Sequence, residues 1–270
     1  METSYRKSVF FVVYKKNKQG NFNYLVLKRS LHWTGWEFPK GGVEQNESEL
    51  EAVKREVKEE TGQEPHNIQN HYHEGKYEYT KDFEGRDYFG QKFSLYSVEI
   101  SSKDVKIDET EHSKYLLLAF DEAYKKLTWP NQKKSLEIVD SKLKEQMAFR
   151  KFQTSNRILV LSGKDRENNE KLVNQIHPEE HVFHTEKPGS PFVNIKTPEV
   201  SEKDIQETAT FCAAKSQDWR DSKSDVKVSH FKGKDIYKEK NMKTGTFGIN
   251  NKEEILIKKK DIEEMEEKIE

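Results

Sequence analysis

The sequence has little of what marks secreted or membrane proteins. Its 270 residues include one cysteine, Cys212, so no disulfide can form within the chain and a reducing compartment such as the cytoplasm is expected. No apolar run approaches the roughly 18 residues that a membrane span requires. The first residues, METSYRKSVFFVVYKK, show no signal-peptide cleavage pattern. We therefore expect a cytoplasmic protein with no membrane partner.

The chain also lacks a net charge that would identify a partner. Its formal charge is −1, although 35% of the residues are charged and 33% are hydrophobic. A polar chain of this length suits two modest domains better than one large one. The strand and helix pattern restarts near residue 150, which predicts a domain at 1–147, a linker at 148–155 and a second domain at 156–260. Residues 261–270 are predicted to be a charged tail, either solvated or a terminal helix.

Both domains have the pattern of mixed α/β (α+β) proteins. Segments 7–16 and 23–29 are rich in β-branched and aromatic residues and predict two strands joined by the turn NKQGN. The second domain alternates short strands with helices. Its longest predicted helix is SEKDIQETATFCAAKSQDW, which opens with Ser201 and Asp204 as a capping pair.

The stretch GGVEQNESELEAVKREVKEETG, residues 41–62, contains seven acidic residues. Glu56, Glu59 and Glu60 lie on one face of the predicted helix, because residues three and four apart are neighbours there, and their like charges repel. A divalent cation would neutralise them, and Mg²⁺ prefers a few carboxylates together with substrate phosphates. Asn46 with Glu49 is a plausible start of the helix, and Gly62 is placed to end it. The alternative is a solvated acidic helix.

The spacing decides between these alternatives. Gly41, Glu47 and the run REVKEETG at 55–62 resemble the Nudix box, in which glycine, glutamate and the R-E-x-x-E-E-x-G run stand at these intervals. Gln63 stands where the box usually has an apolar residue. The resemblance covers roughly residues 5–147. It implies an α/β/α sandwich with a mixed sheet, and hydrolysis of a diphosphate linkage by water with a divalent metal.

The resemblance also implies roles for individual residues. Arg55 would hold Glu47 or a neighbouring carboxylate in place. The implied catalytic residues are Glu59, Glu56, Arg55 and Glu111. The implied ligands of Mg²⁺, or of Mn²⁺ as an alternative, are Glu56, Glu59, Glu60 and the carbonyl of Gly41.

Substrate choice lies outside the box. HWTGWEFPKGGVE and DETEHSKYLLLAFDEAYKKL resemble the diadenosine tetraphosphate hydrolase branch, where Glu111 matches a glutamate near the metal and is a candidate base or further ligand; otherwise it is a surface acid. Lys40 is a candidate partner for phosphate. Tyr77 and Tyr79 share one strand face and either stack on a base or pack within the sheet. We therefore expect dinucleoside polyphosphates of the diadenosine tetraphosphate type as substrates. The alternative is an RNA 5′ end, because the W-x-F-P-K-G run also resembles enzymes that trim RNA 5′ ends by decapping or by removing pyrophosphate.

The second half resembles the NFACT RNA-binding domain, NFACT-R, over roughly residues 156–258. The segments that carry this resemblance are RILVLSGKDRENNEKLV, VFHTEKPGSPFVNIK, TATFCAAKSQDW and GTFGI. The domain occurs in larger proteins that act on stalled ribosomal large subunits, but their other modules are absent here. The resemblance therefore implies an RNA or ribosome partner, with no DNA expected, and does not transfer the rescue activity.

Candidate RNA contacts come from two sources. The resemblance points to Lys164 and His184, although His184 is equally a strand histidine hydrogen-bonded in a turn. Basic residues interleaved with aromatics suit RNA phosphates and unstacked bases, whereas the alternative is a solvated hairpin. The lysines of that second source are Lys227, Lys232, Lys234, Lys238, Lys240 and Lys243, and we call the first five the lysine patch.

Three functions remain open from the sequence. The first is a magnesium-dependent Nudix hydrolase that its second domain brings to RNA or ribosomes. The second is an RNA-binding protein whose Nudix domain senses nucleotides without turnover, which the intact Glu56, Glu59 and Glu60 disfavour. The third is a hydrolase of free dinucleotides whose second domain stabilises or localises it.

Overall fold

The computed structural model describes residues 5–79 and 88–269. The chain divides into two compact units, Met1–Lys144 and Glu145–Glu270. No helix in the described ranges is both long and apolar enough to cross a bilayer.

A seven-stranded mixed sheet with three helices forms the first unit. The strands follow the order β3-β2-β1-β6-β5, with β4 paired to β1 and β7 paired to β2; β1 and β6 are parallel, and the other pairs are antiparallel. The strands are β1 (Tyr5–Lys16), β2 (Phe22–Arg29), β3 (Gly35–Glu37), β4 (Lys40–Gly42), β5 (His66–Glu78), β6 (Gly90–Glu99) and β7 (His112–Leu118). The helices are α1 (Glu49–Thr61), α2 (Phe120–Lys126) and α3 (Pro130–Glu145).

The central strand β1 is buried along most of its length. Phe10, Val12 and Tyr14 belong to a core cluster that includes Leu136 and Val139 of α3. Because side chains alternate along a strand, the equally buried residues between them face the opposite side, and α1 also contacts β1. The mixed α/β class predicted from the sequence is confirmed.

Helix α1 begins two residues later than the sequence indicated. Its cap is Ser48, whose hydroxyl accepts from the backbone of Glu51 while the Glu51 carboxylate accepts from the Ser48 backbone. Asn46 lies outside the helix with a φ of 66°. The helix ends at Gly62, as predicted, because its φ of 68° is in the left-handed region that glycine adopts without strain.

The second unit contains a six-stranded sheet and a short two-stranded ribbon. The sheet order is β15-β12-β10-β11-β9-β8, with β13 and β14 forming the ribbon. The strands are β8 (Arg150–Gln153), β9 (Leu159–Ser162), β10 (His181–Thr185), β11 (Val193–Ile195), β12 (Val226–Lys232), β13 (Ile236–Tyr237), β14 (Gly248–Ile249) and β15 (Glu253–Ile257). The helices are α4 (Arg166–Val173), α5 (Glu202–Lys215), α6 (Gln217–Ser222) and α7 (Lys259–Ile269).

Two predicted boundaries differ from the structure. Residues 148–155, taken as a linker, contain β8, an edge strand that pairs with β9 and buries Phe152. Residues 261–270, predicted to be a charged tail that is either solvated or a terminal helix, belong largely to the helix α7, which packs on α5 and buries Ile262 and Met265. In both segments a few apolar residues supply the packing, and the composition of the segment alone does not reveal it.

Candidate active site

A cleft of about 1040 Å³ in the first unit opens over the acidic face of α1. Its lining contains Glu56, Glu59 and Glu60 together with Glu111 and the β4 glycines. The helix supplies three carboxylates and the segment before β7 supplies the fourth. The structure thus places the four candidate acids around one cavity.

Arg55 ties the Nudix-box residues to one another. Its Nε and Nη2 each donate to one oxygen of Glu47 at 2.9 Å, and Nη2 also donates to the Gly42 carbonyl at 2.9 Å. Its Nη1 donates to Glu56 Oε1 at 2.8 Å and to Glu59 Oε2 at 3.2 Å. The guanidinium therefore joins the loop before the helix to the carboxylates on the helix, while the positioning role implied for Arg55 stays a prediction.

Gly41 allows Glu56 to pack directly against strand β4. A Cβ at this position would lie 1.8 Å from the Glu56 carboxyl carbon, a distance no real side chain tolerates. Only glycine leaves room for the Glu56 carboxylate here. The close approach sets the Gly41 backbone beside that carboxylate, where the sequence placed a backbone ligand.

The carboxylates of this site are held in an environment that favours a cation. Burial, together with the charges of Glu59 and Glu60, raises the pKa of Glu56 to about 7 against the opposing effect of Arg55. Glu60 Oε2 is buried and receives no well-aligned hydrogen bond from any described residue. Several carboxylate oxygens that line one cleft are suitable ligands for Mg²⁺ or Mn²⁺. The residues present therefore fit a divalent metal.

A buried histidine completes the site, and sequence reasoning missed it. His112 Nε2 lies 3.3 Å from Glu37 Oε1, and its Nδ1 lies 3.2 Å from Glu60 Oε2 without a well-aligned hydrogen bond. Burial opposes a positive charge here, but Glu37 and Glu60 outweigh it and raise the pKa of His112 to about 9. Ligand atoms of Glu60, Glu111 and His112 lie within 4.8 Å of one another. The only signal in the sequence was that His112 directly follows Glu111.

Glu111 is anchored by a second arginine. Arg29 Nη1 donates to Glu111 Oε2 and lies 3.6 Å from Glu37 Oε1. Arg29 and Glu37 were also missed, since their partners are distant in sequence. Glu111 is therefore held at the cleft by Arg29 and is not a free surface acid.

The predicted substrate residues separate into two groups. Lys40 lines the cleft but pairs with the buried Glu37. Tyr79 also lines the cleft, and its hydroxyl accepts from Gln91 Nε2 at 2.7 Å. Tyr77 instead packs on the core cluster, with its ring 6.0 Å from that of Phe10, which corresponds to the sheet-packing alternative.

Three lysines of the lysine patch pair with carboxylates of other segments of the second unit. Lys227 lies 3.2 Å from Glu254, and Lys234 lies 3.2 Å from Glu179. Lys238 pairs with Glu170, and Lys232 Nζ donates to the Glu179 carbonyl at 3.0 Å. Lys240 is exposed. Lys164, His184 and Lys243 lie elsewhere, around one separate pocket of this unit.

Comparisons with known families agree with this two-part organisation. The family model described as NUDIX domain matches residues 4–138, which is half of the chain. The model described as NFACT protein RNA binding domain matches residues 148–251.

Curated relatives match about half of the chain. An RNA pyrophosphohydrolase of a Nitratiruptor species is 29% identical over 142 residues, covering 49% of this chain and 92% of the relative. An RNA pyrophosphohydrolase of a Sulfurovum species is 26% identical over 149 residues, covering 53% and 95%. Among solved structures, a C. elegans Ap4A hydrolase binary complex aligns with a TM-score of 0.43 and 23% identity over 52% of this chain and 98% of that one.

Proposed function

Because the chain belongs to the NUDIX family, we propose that its first unit is a pyrophosphohydrolase dependent on Mg²⁺ or Mn²⁺ that acts on the 5′ ends of RNA. The observation that carries the hydrolase proposal is the convergence of Glu56, Glu59, Glu60 and Glu111 on one cleft. Support for an RNA substrate comes from the relatives named RNA pyrophosphohydrolase and from the NFACT RNA-binding domain in the same chain.

The residues of the cleft have distinct proposed roles. Glu56, Glu59 and Glu60 would hold the metal, with the Gly41 carbonyl as a further ligand. A bound ion of this kind polarises phosphoryl oxygens and lowers the pKa of water. Arg55 keeps Glu56 and Glu59 oriented through its hydrogen bonds.

Glu111 is the candidate proton acceptor or additional ligand. Arg29 fixes its carboxylate at the cleft, so its position does not depend on a flexible loop side chain. Lys40 and Arg6 add positive charge to the same lining, where substrate phosphates would lie. Lys40 already pairs with Glu37, so its ammonium would contact the substrate phosphate and the Glu37 carboxylate at the same time.

The second candidate is hydrolysis of dinucleoside polyphosphates such as diadenosine tetraphosphate. Tyr79 and Tyr88 both line the cleft and offer aromatic surface for a nucleobase. A dinucleotide and a 5′-triphosphorylated RNA both present a nucleoside polyphosphate to the carboxylates. The two candidate functions differ in whether an RNA chain attached to the polyphosphate increases the rate of hydrolysis.

The deciding experiment compares hydrolysis of 5′-triphosphorylated RNA and diadenosine tetraphosphate by the full chain with and without Mg²⁺. We expect RNA to be preferred and both reactions to need the metal. The variant Glu59→Gln should lose turnover while keeping its fold, because the Glu59 side chain is 58% exposed. Glu64→Gln removes the same charge from a side chain that is 57% exposed and lies outside the cleft lining, so it should behave like the natural chain.

The other outcomes separate the competing functions. Equal turnover in Glu59→Gln would show that the metal assignment is wrong. Preference for the dinucleotide would favour a nucleotide-clearing hydrolase. Binding of nucleotides with no turnover of either substrate would favour a sensor.

A further inference from the structure

A second pocket, of about 670 Å³, lies wholly within the second unit. Its lining contains seven lysines and arginines and only two carboxylates, those of Asp165 and Glu186. Lys252 of the lining lies 3.5 Å from Glu186, and the Asp165 carboxylate accepts from the backbone of Asn168 at 2.8 Å as the cap of α4. We call this site the cation pocket, and its six remaining cations are Arg150, Lys164, Arg166, Lys215, Arg220 and Lys243.

The cations of this pocket differ from the lysine patch in their lack of partners. Within residues 5–79 and 88–269, none of the six forms an ion pair with a carboxylate. They come from five separate segments: the start of β8, the junction of β9 with α4, the end of α5, helix α6 and the loop after β13. Bringing like charges together from distant parts of the chain costs free energy unless an anion joins them.

Two arginines show this most clearly. Arg150 donates to the Gly163 carbonyl, and Arg220 Nη2 lies 3.5 Å from the Gly189 carbonyl. Burial lowers the pKa of Arg150, and the nearby charge of Arg220 lowers it further. Backbone carbonyls therefore orient these guanidiniums. Neither forms a close ion pair with a described carboxylate, and only the more distant charges of Asp165 and Asp221 act on Arg150 and Arg220, respectively. A planar guanidinium held in this way matches two oxygens of a phosphate.

The pocket also has an aromatic wall. The rings of His184 and Phe192 stack with centroids 4.4 Å apart, and Phe247 meets Phe192 edge-on at 5.5 Å. Burial lowers the pKa of His184 to about 4, so its ring is neutral at physiological pH and adds no charge. Phe192 is buried and backs the other two rings, so His184 and Phe247 supply the exposed ring surface. Neutral ring surface beside phosphate-binding cations suits a nucleotide whose base is unstacked from its neighbours.

The loop that carries Lys243 and Phe247 is fixed before any ligand arrives. The backbone of Gly245 donates to Glu170 Oε2 at 2.7 Å, and Glu170 also pairs with Lys238. Gly245 has a φ of 75°, and a Cβ there would lie 2.6 Å from the Arg166 carbonyl oxygen. This close packing holds the loop against the start of α4, so that one side of the pocket is preformed.

We propose that the cation pocket, not the lysine patch, binds the phosphates and an unstacked base of single-stranded RNA. This inference rests on the RNA-directed function proposed above and gives it a location. A volume near 670 Å³ accommodates one or two nucleotides, while a duplex keeps its bases stacked and cannot place one in a concavity.

The test is binding of a short fluorescent single-stranded RNA with a 5′-hydroxyl to the full chain, measured by fluorescence anisotropy in the presence of EDTA. The double variant Arg220→Gln/Lys243→Gln removes two exposed cations from the pocket. For single strands each lost phosphate contact reduces the slope of log K against log salt by about 0.7, so the slope should fall by about 1.4. The same relation gives about 25-fold weaker binding at about 0.1 M salt.

The matched control is Lys227→Gln/Lys234→Gln, which removes two charges from ion pairs of the lysine patch. It should change affinity less than about 3-fold, since each lysine already has a carboxylate partner. Both double variants should keep the melting temperature of the natural chain. Both should also hydrolyse diadenosine tetraphosphate normally, because none of the four residues lines the cleft of the first unit.

Four results would overturn the proposal. They are natural affinity in the pocket variant, an equal loss in the control, equal binding of duplex RNA, and displacement of the RNA by poly-glutamate at matched charge. A natural chain that binds no RNA would refute the RNA-directed function as well. If the natural chain binds RNA and the pocket variant binds it with the same affinity, only the assignment of RNA binding to the cation pocket is refuted.

Discussion

Replacing Arg55 with lysine keeps the positive charge and removes the planar fork. In the structure the guanidinium makes two hydrogen bonds of 2.9 Å to Glu47, one of 2.9 Å to the Gly42 carbonyl and one of 2.8 Å to Glu56. A lysine ammonium is a point donor on a flexible stem and cannot reach all of these groups in fixed directions. The Glu47 loop and the Glu56 carboxylate should therefore lose their common anchor.

The size of the effect follows from what these bonds do. Each charge-assisted hydrogen bond is worth about 1.5–3 kcal/mol, but the Arg55 side chain is 25% exposed and water replaces part of that. Residues that orient metal ligands typically change metal affinity or activity by about 10–100-fold when replaced. We expect the Mg²⁺ concentration for half-maximal hydrolysis to rise by about 10–100-fold, with a smaller fall in kcat at saturating Mg²⁺.

The assay is a Mg²⁺ titration of the hydrolysis rate for the natural chain, Arg55→Lys and Glu47→Gln. Glu47→Gln removes the carboxylate that accepts two of the Arg55 hydrogen bonds, and it should shift the titration in the same direction. Lys58→Gln is the control, since the Lys58 side chain is 67% exposed and pairs only with Glu64 among the described residues. An Arg55→Lys titration that overlays the natural one would refute the positioning role. A shift in Arg55→Lys without one in Glu47→Gln would show that Arg55 acts directly on Glu56.

Three further predictions concern other parts of the chain. Gly41→Ala should abolish hydrolysis while circular dichroism stays unchanged, since its Cβ would lie 1.8 Å from Glu56; retained turnover would contradict this. Lys196→Met leaves the fully buried Glu180 carboxylate without its ammonium at 2.7 Å, and urea unfolding should show a loss of about 3–5 kcal/mol; a loss under about 1 kcal/mol would refute it. Burial, then the charges of Lys232 and His230, lower the pKa of His181 from 6.5 to about 4. The unfolded chain therefore binds the extra proton between these values, and His181 should contribute a fall in stability of about 1.4 kcal/mol per pH unit as pH drops from 6.5 to 4. Because the pKa of His184 is lowered in the same way, His181→Phe should reduce the slope by that amount without removing it.

Local sequence signals predicted much of the fold and the acidic part of the site. The apolar residues of β1 and β2, the glycine that ends α1 and the cap of α5 at Ser201 act within a few residues, so their effects can be read from neighbours in the chain. The face shared by Glu56, Glu59 and Glu60 follows from helical geometry in the same way.

What the sequence did not predict depends on contacts between distant segments. Glu37 and His112 are 75 positions apart and meet only because β3 and β7 both pair with β2. The ion pairs of the lysine patch were not predicted for the same reason, since Glu170 and Glu179, which pair with its lysines, lie more than fifty positions away. A count of charges along a short segment does not include the carboxylates that folding brings close from distant parts of the chain.

The parallel pairing of β1 with β6 has a consequence for how the chain is made on the ribosome. The apolar run from Val9 to Tyr14 emerges early, and β2 and β4 cover only parts of one edge of its strand. The other edge of β1 has no partner strand until Gly90–Glu99 has been translated, because β6 pairs with it there over ten positions. Until then the nascent chain displays an apolar strand with an open edge, which is a template for aggregation. Slower translation between these two strands should therefore lower the yield of folded protein and increase its dependence on chaperones.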